Sequence, residues 1–128
     1  MDYLPLKGLK VIELPSGQAG AYCGRLFHQY GAQVTRISCP AEESGDLDQN
    51  AEYLHIGKSI LEFNFDSDYD TKNLNSLLSK CHILIHSSNW TSSKNLDPKE
   101  INNPKLISIS ISNMGSDGPL NNLETTDL

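Results

Sequence analysis

Apolar positions near the start of the chain change from a continuous run to a helical spacing. Residues 9–14 form a short apolar run, the segment 15–17 interrupts it, and an apolar stripe follows. The stripe consists of Ala19, Tyr22, Cys23, Leu26, Phe27 and Tyr30, which fall on one face of an α-helix. This spacing predicts a helix over residues 18–30 that ends before Gly31.

A second strand is predicted at residues 33–37, so the chain begins with a strand–helix–strand unit. Because its helix must cross over, the two strands are expected to be parallel. The remaining predicted elements are strands at residues 59–65, 82–86 and 106–112, a helix at 69–80, a short helix near 98–102, and a solvated loop at 40–52. The predicted fold class is α/β, a Rossmann-like parallel sheet with flanking helices, in one domain over residues 1–128.

Charge and cysteine content exclude several classes of partner. The formal net charge of -6 and the pI near 5.0 disfavour nucleic acid and anionic membranes, which require a basic surface. Cys23, Cys39 and Cys81 have no CxxC spacing and predict neither a disulfide framework nor a zinc site. No signal peptide or long apolar span is apparent, so we expect a cytoplasmic protein whose partners are small molecules or other proteins.

The segment between the first strand and the first helix is a candidate anion site. A glycine-containing loop that leads into a helix presents unpaired N–H groups, which suit a phosphate, a carboxylate or a developing oxyanion. Alternatively, Gly17 and Gly20 serve only the turn and a close approach of helix and strand. The glycine spacing is not GxGxxG and no acidic residue ends the second strand, so an NAD site is disfavoured.

Several motifs resemble the N-terminal part of the family III CoA-transferases, the CaiB/BaiF group. They are "PLKGLKVIELPSGQAGAYCGRLFHQYGAQVTRIS", "GKSILEFN", "CHILIHSS" and "NPKLISISISNMGSDGP", and they extend over nearly the whole chain. The last motif is the most specific, with Asn103-Pro104, Ser108 to Ser110 and Gly115 to Pro119 at the expected positions. The chain is therefore identified as a family III CoA-transferase-like N-terminal domain, incomplete relative to the family.

The resemblance implies a transfer of coenzyme A from an acyl-CoA to a carboxylic acid through an aspartate nucleophile. Gln18 matches a glutamine beside the reacting acyl group, and Ala19 and Gly20 match the turn that follows it. Lys58 matches a basic residue near the CoA nucleotide. The resemblance thus implies CoA-binding residues Gln18, Ala19, Gly20 and Lys58; alternatively, Gln18 only caps the helix and Lys58 is an ordinary strand-edge lysine.

Departures from the family pattern predict weaker CoA binding and the loss of catalytic activity. Ser38, Ser59 and the pair His86-Ser87 stand where the family has charged or amide groups, so we expect CoA binding to be weak and no cofactor to be held covalently. The family's nucleophile lies beyond Pro119 in a "GD" motif that these residues lack, so no catalytic residue is assigned. The predicted function is a non-catalytic or fragmentary domain that contacts acyl groups or CoA, or assists assembly, within a larger enzyme.

Two other classes of function remain open at this point. One is the N-terminal part of an active CoA-transferase, and the other is an unrelated flavodoxin-like or nucleotide-binding module.

The strand 106–112, in which serines alternate with isoleucines, and the loop 113–120 predict association with more protein. The partner is a second copy of the chain or a neighbouring domain. Alternatively, the tail with Leu120, Leu123 and Leu128 covers this surface.

The histidines and the tryptophan carry weaker signals. His82 and His86 would stand about 13 Å apart in a strand, too far to share a metal ion, and read as sheet-end polar residues. No metal site is predicted. Trp90 is either a docking aromatic or a loop residue folded onto the core.

Overall fold

Strands and helices alternate along the chain. The computed structural model describes residues 3–39, 51–87, 90–91, 94–121 and 123. The strands are β1 (Lys10–Glu13), β2 (Gln33–Ser38), β3 (Ser59–Glu62), β4 (Ile83–Ser87) and β5 (Ile107–Ile111). The helices are α1 (Gly17–Gln29), α2 (Ala51–His55) and α3 (Asp68–Leu78), with a 3₁₀ turn at Pro98–Glu100.

The five strands form one parallel sheet in the order β3-β2-β1-β4-β5. Val11 of β1 lies between Val34 of β2 and Ile83 of β4, which sets the register of the central strands. The predicted α/β class, the Rossmann-like parallel sheet with flanking helices and the parallel pairing of the first two strands are confirmed. Since the chain moves outward from β1 in both directions, β1 and β4 meet where the strand order reverses.

The core has one layer on each face of the sheet. On the α3 face, Ile12, Leu14, Ile37 and Leu84 pack with Leu74 and Leu78 of the helix. On the α1 face, the buried residues are Val11, Ala32, Val34, Ile83 and Ile85, and Cys23 and Phe27 of α1 pack against them. Because successive strand residues alternate between these layers, both faces of β1 and β4 are buried, as is usual in parallel sheets.

Helix α1 is rotated relative to the prediction from its apolar stripe. Gly20, Ala21 and Gly24 are the buried residues of this helix, and only part of the stripe contacts the core. Tyr22, Leu26 and Tyr30 remain 48%, 38% and 54% exposed. Two glycines on the inner face bring the helix backbone close to the sheet, and this close approach decides which face is buried.

Helix α3 is held at its end by a side chain from the segment before β5. The Nδ2 atom of Asn103 donates to the carbonyl oxygens of Leu78 and Cys81, at 3.0 and 2.8 Å. These bonds satisfy backbone acceptors that the end of a helix leaves unpaired. Asn103 begins the "NP" motif, so this part of the motif has a structural role. At the other end of the helix, the N-cap residue Ser67 makes no side-chain capping bond.

Two local predictions differ from the structure. The strand predicted at 59–65 ends at Glu62, because an Asx turn follows in which Asp66 N donates to Asn64 Oδ1 at 3.0 Å. Helix α2 was not predicted, and most of the loop expected at 40–52 lies outside the described residues.

Trp90 is half-buried and packs edge-on against Phe65, with ring centroids 5.1 Å apart. The alternative that Trp90 folds onto the core is therefore confirmed.

Strand β5 lies at the edge of the sheet. Ile109 and Ile111 pack against the α1-face core, whereas Ile107 is 60% exposed. Leu120 and Leu123 of the segment that follows are about half exposed. Leu128 lies outside the described residues.

Candidate functional site

The carboxyl ends of β1 and β4 are the natural place for a ligand in this sheet. Leu14, which follows β1, donates its N–H to the carbonyl oxygen of Ile85 at 2.9 Å and so continues the pairing to the edge. From there the chain turns through Ser16 into α1 on one face, while β4 ends at Ser87. Open α/β sheets bind ligands in the crevice at this reversal of strand order.

The first turn of α1 lies at this edge and has no side-chain cap. Ser16 is the N-cap residue, but its hydroxyl makes no capping bond, and its buried Oγ has no partner among the described residues. Gly17 has a φ of +70°, which favours glycine. A Cβ on Gly20 would collide with the Ser16 side chain. The turn explanation is therefore supported for Gly17, while the lack of a side chain at Gly20 leaves room for the Ser16 side chain of the same turn.

Gln18, Ala19 and Gly20 are brought together on this first turn, as the sequence predicted. Gln18 and Ala19 are exposed, and Gly20 is buried. An exposed amide at a helix N-terminus is suited to a carbonyl or anionic oxygen, because the dipole and free N–H groups favour negative charge there. Their roles towards an acyl group or CoA stay predictions.

Lys58 occupies an interior position instead of facing solvent. Its side chain is fully buried, and Nζ donates to Glu13 Oε1 at 2.6 Å and to the carbonyl oxygen of Ala21 at 2.8 Å. The Nδ1 atom of His55 lies 3.3 Å from Nζ. An ammonium has three N–H donors, so these contacts use all of them. The expected contact of Lys58 with CoA phosphates remains untested, and the geometry favours a structural ion pair.

The Glu13–Lys58 pair is surrounded by protein and costs desolvation energy. Burial raises the pKa of Glu13 and lowers the pKa of Lys58, and in each case the bond between the two groups opposes the shift only in part. Arg36 Nε is 3.7 Å from the other oxygen of Glu13. A Cβ on Gly24 would overlap Glu13 Oε1, so the glycine leaves the space that the carboxylate occupies.

Glu13 was not predicted as a residue of interest. It ends the apolar run of β1, and a charged residue at the end of a strand buried on both faces is the signal that could have identified it. Its partner is Lys58, the residue before β3. A hydrophobic pattern along a single element does not show that this residue lies beside β1.

His82 and His86, at opposite ends of β4, have different environments. His82 is exposed, and its Nδ1 accepts a hydrogen bond from Lys10 N at 2.9 Å. His86 is only 5% exposed, and its Nε2 lies 2.8 Å from Ser108 Oγ. Burial lowers the pKa of His86, with the Ser87 backbone acting in the opposite direction. Both histidines lie at an end of β4, as predicted. The burial of His86 was not predicted.

A separate cavity of about 620 Å³ lies beside α3. Its lining includes Phe65, Leu74, Leu96 and the charged residues Lys94 and Asp97. None of the predicted site residues lines it. Among the described residues no group of three or more His, Cys, Asp or Glu side chains could hold a metal ion, and no helix is long and apolar enough to cross a membrane.

The fold defines a Rossmann-type α/β protein, a class whose ligands bind at the reversal of strand order. Residues 6–128 match CoA-transferase family III, and the chain belongs to this family. The resemblance seen in the sequence is thereby confirmed.

Individual relatives agree with this assignment. The chain is 30% identical over 131 residues to the cinnamoyl-CoA:phenyllactate CoA-transferase of Clostridium sporogenes, covering 88% of this chain and 31% of that protein. It is similar to the crystal structure of a CaiB/BaiF family protein from Brucella suis, with 25% identity, a TM-score of 0.79, and coverage of 93% of this chain and 36% of that one.

A hypothetical protein from Mycobacterium tuberculosis has the same fold. It has a TM-score of 0.84 and 20% identity, with coverage of 97% of this chain and 37% of that one. The described relatives are therefore much longer, and this chain spans about a third of their length.

Proposed function

We propose that this chain is the acyl- and CoA-contacting Rossmann-type segment of a family III CoA-transferase and does not itself supply the nucleophile. The observation that carries the proposal is the position of Gln18, Ala19 and Gly20 on the uncapped first turn of α1, at the crevice between β1 and β4. Gln18, which matches the family glutamine beside the acyl group, and the turn that follows it thus lie at the edge where this class of sheet binds its ligands.

The residues of this segment are better suited to contacting a substrate than to forming a covalent bond with it. Gln18 offers a neutral amide, which can stabilise a carbonyl oxygen that gains negative charge. Asp117 lies in an exposed glycine-containing loop. The Gly-Asp pair of these residues, Gly45-Asp46, precedes the "GP" segment, whereas the family's "GD" motif follows it. The reaction class in the clostridial relative's name is therefore proposed only for a larger assembly containing this segment.

The test is an exchange assay on the 128-residue chain. Transfer of CoA between an acyl-CoA and a free carboxylic acid is followed by mass spectrometry, and we expect no turnover above the uncatalysed background. Loss of a covalent nucleophile commonly removes several orders of magnitude of rate. Turnover that disappears in Gln18→Ala would overturn the non-catalytic assignment and favour an active CoA-transferase.

The surface at β5 supports a second part of the proposal, which is contact with more protein. Ile107 is 60% exposed on an edge strand, and Met114 and Leu120 of the following loop are 46% and 51% exposed. Edge strands with exposed apolar residues favour association. We propose a homodimer or docking to a neighbouring domain through residues 106–120.

Light scattering over a dilution series tests this association. We expect the measured mass to decrease on dilution, and Ile107→Lys to shift the equilibrium towards monomer because it places a charge on the edge strand. Tyr69→Lys is a matched control, since Tyr69 is exposed on α3. A monomer at every concentration, together with slow amide exchange along β5, would contradict the proposal.

A further inference from the structure

A second groove lies at the amino edge of the sheet, opposite the crevice described above. It has a volume of about 500 Å³, and its lining includes Leu4, Ala32 and Ile56. These residues lie in the segments that precede β1, β2 and β3. Parallel strands begin at the same edge of a sheet, so the groove lies at their amino ends. It is therefore distinct from the carboxyl-edge crevice between β1 and β4.

The walls of this groove are fixed by contacts within the chain. The N–H of Leu6 donates to the carbonyl oxygen of Tyr30 at 2.9 Å, which holds the segment containing Leu4 against the end of α1. In the segment after α2, the ring of His28 packs on the backbone of Gly57, where a Cβ would overlap it. The groove is thus bounded by defined segments and has the size of a small-molecule site.

Arg25 lines the groove and has no acidic partner. Its Cζ lies 3.8 Å from the centre of the Tyr53 ring, and its Nη1 donates to Tyr53 O at 2.7 Å. No carboxylate of the described residues forms an ion pair with it. Nε is buried without a partner, whereas Nη2 makes no hydrogen bond to the described residues and is not among the buried atoms. In a chain of net charge -6, this half-buried guanidinium keeps one N–H group open to an anion.

His28 lies one helical turn beyond Arg25 and also lines the groove. Side chains at this spacing are neighbours on a helix, with Cβ atoms about 5 to 6 Å apart. The ring is half-buried, and neither ring nitrogen bonds to a described residue. The two side chains can therefore donate to the same small anion, Arg25 through Nη2 and His28 through a ring N–H.

The lining of the groove favours a carboxylate attached to a hydrocarbon chain over a phosphate. One guanidinium balances one negative charge, and the ammonium of Lys58 is committed to Glu13 and Ala21. Leu4 and Ile56 are 44% and 55% exposed, so an aliphatic chain that covers them removes apolar surface from water. The carboxyl end of α1 disfavours an anion by about two- to fivefold, which is less than a charge-assisted hydrogen bond provides.

We propose that the groove at the amino edge binds the carboxylate of a small acid with an aliphatic body. Arg25 Nη2 and a His28 ring N–H hold the carboxylate, while Leu4, Ala32 and Ile56 contact the hydrocarbon chain. The groove lies away from the carboxyl edge, so it is an accessory site for an acid and not the place of reaction. The proposed function neither requires nor excludes this site.

The experiment titrates the 128-residue chain with hexanoate and with hexanamide, which has the same length but no charge, and follows the backbone amides by ¹⁵N NMR. Hexanoate should shift the amides of residues 25–32 and 56–57 and leave residues 16–20 unchanged. It should bind about tenfold more tightly than hexanamide, because only the acid accepts charge-assisted bonds from Arg25. Acetate and inorganic phosphate lack the hydrocarbon chain and should bind more weakly than hexanoate.

The variant Arg25→Met separates ligand binding from the structural contact with Tyr53. It should lower the affinity for hexanoate to that for hexanamide and leave hexanamide binding unchanged. If Arg25 only held α2 in place, its loss would lower the affinity for both compounds by the same factor. Lys72→Met is the matched control, since it makes the same change in net charge on exposed α3, across the sheet, and should alter neither affinity.

Four results would contradict the carboxylate site. Equal binding of hexanoate and hexanamide by the wild type would remove the role of charge, and tighter binding of phosphate than of hexanoate would assign an inorganic anion. An equal loss for both compounds in Arg25→Met would leave Arg25 a structural role only. Shifts confined to residues 16–20, or none at about 10 mM hexanoate, would show that the groove does not bind acids, and the proposed function would stand.

Discussion

Two sets of buried polar side chains lie near the carboxyl edge of the sheet, and they differ in whether the chain satisfies them. Glu13 and Lys58 bond to each other at 2.6 Å, and Lys58 finds two further partners in the chain. Ser16 Oγ and His86 Nδ1 have no partner among the described residues. The charged pair thus has its partners within the chain, while the two uncharged atoms are buried without such a side-chain partner.

The contact of Lys58 with CoA phosphates stays a prediction, and this difference favours a structural role for the lysine. A lysine near a predicted nucleotide site reads as a phosphate ligand, yet its burial and its three contacts engage the ammonium inside the protein. The serine and the histidine are weaker signals in the sequence. Their unsatisfied atoms become visible only when the surrounding backbone is in place.

The largest expected effect comes from breaking the buried pair. Lys58→Met leaves the Glu13 carboxylate buried without its main partner, and should lower the free energy of unfolding by about 3 to 5 kcal/mol. Denaturant unfolding followed by circular dichroism measures this. Lys72→Met, on the exposed surface of α3, is the control and should change stability by less than about 0.5 kcal/mol. A loss below about 1 kcal/mol for Lys58→Met would contradict the structural role.

Removing both charges should cost less than the sum of the single losses. Burial opposes the charged forms of both groups, since it raises the pKa of Glu13 and lowers that of Lys58. A double-mutant cycle with Glu13→Leu and Lys58→Met should give a coupling of about 1 to 3 kcal/mol. Additive losses would show that the two side chains stabilise the fold independently.

A methyl group at Gly24 should disturb the same pair from the helix side. The added Cβ would overlap Glu13 Oε1, which its bond to Lys58 holds in place. We expect Gly24→Ala to destabilise the chain by about 1 to 3 kcal/mol, although alanine ordinarily favours a helix by up to about 1 kcal/mol relative to glycine. A gain in thermal midpoint would mean that the carboxylate moves aside without loss.

The smallest effect is a pH dependence that arises from His86. Because the folded-state pKa lies below the reference value of 6.5, the unfolded chain binds more protons as the pH falls through that value. The contribution of His86 to stability is therefore full above about pH 7 and decreases towards pH 5. The decrease should be smaller in His86→Asn than in His82→Asn. Equal slopes for both variants would remove His86 as its source.

Much of the fold was predictable because it rests on local hydrophobic patterns. The alternating strands and helices, the parallel sheet and the strand from Ile107 to Ile111 follow from runs and periods that the chain displays directly. The rotation of α1 was not predictable in this way. It depends on Gly24, whose missing side chain leaves the space that Glu13 of β1 occupies.

The candidate site was predictable only where neighbouring residues form it. Gln18, Ala19 and Gly20 are consecutive, so a motif could place them on one turn. The bond between His86 and Ser108 joins two strands, and the pair of Glu13 and Lys58 joins the ends of distant segments. Such contacts depend on strand order and register, which periodicity along single elements does not specify.

Amide NMR of the chain titrated with an acyl-CoA tests the central claim that the carboxyl edge of β1 and β4 contacts CoA. Chemical-shift changes should concentrate at residues 16–20 and 86–87, with little change at the cavity beside α3. The affinity should be weak, because several charged family contacts are absent. No shifts at millimolar ligand, or shifts confined to residues such as Leu96 and Asp97 of that cavity, would contradict the account.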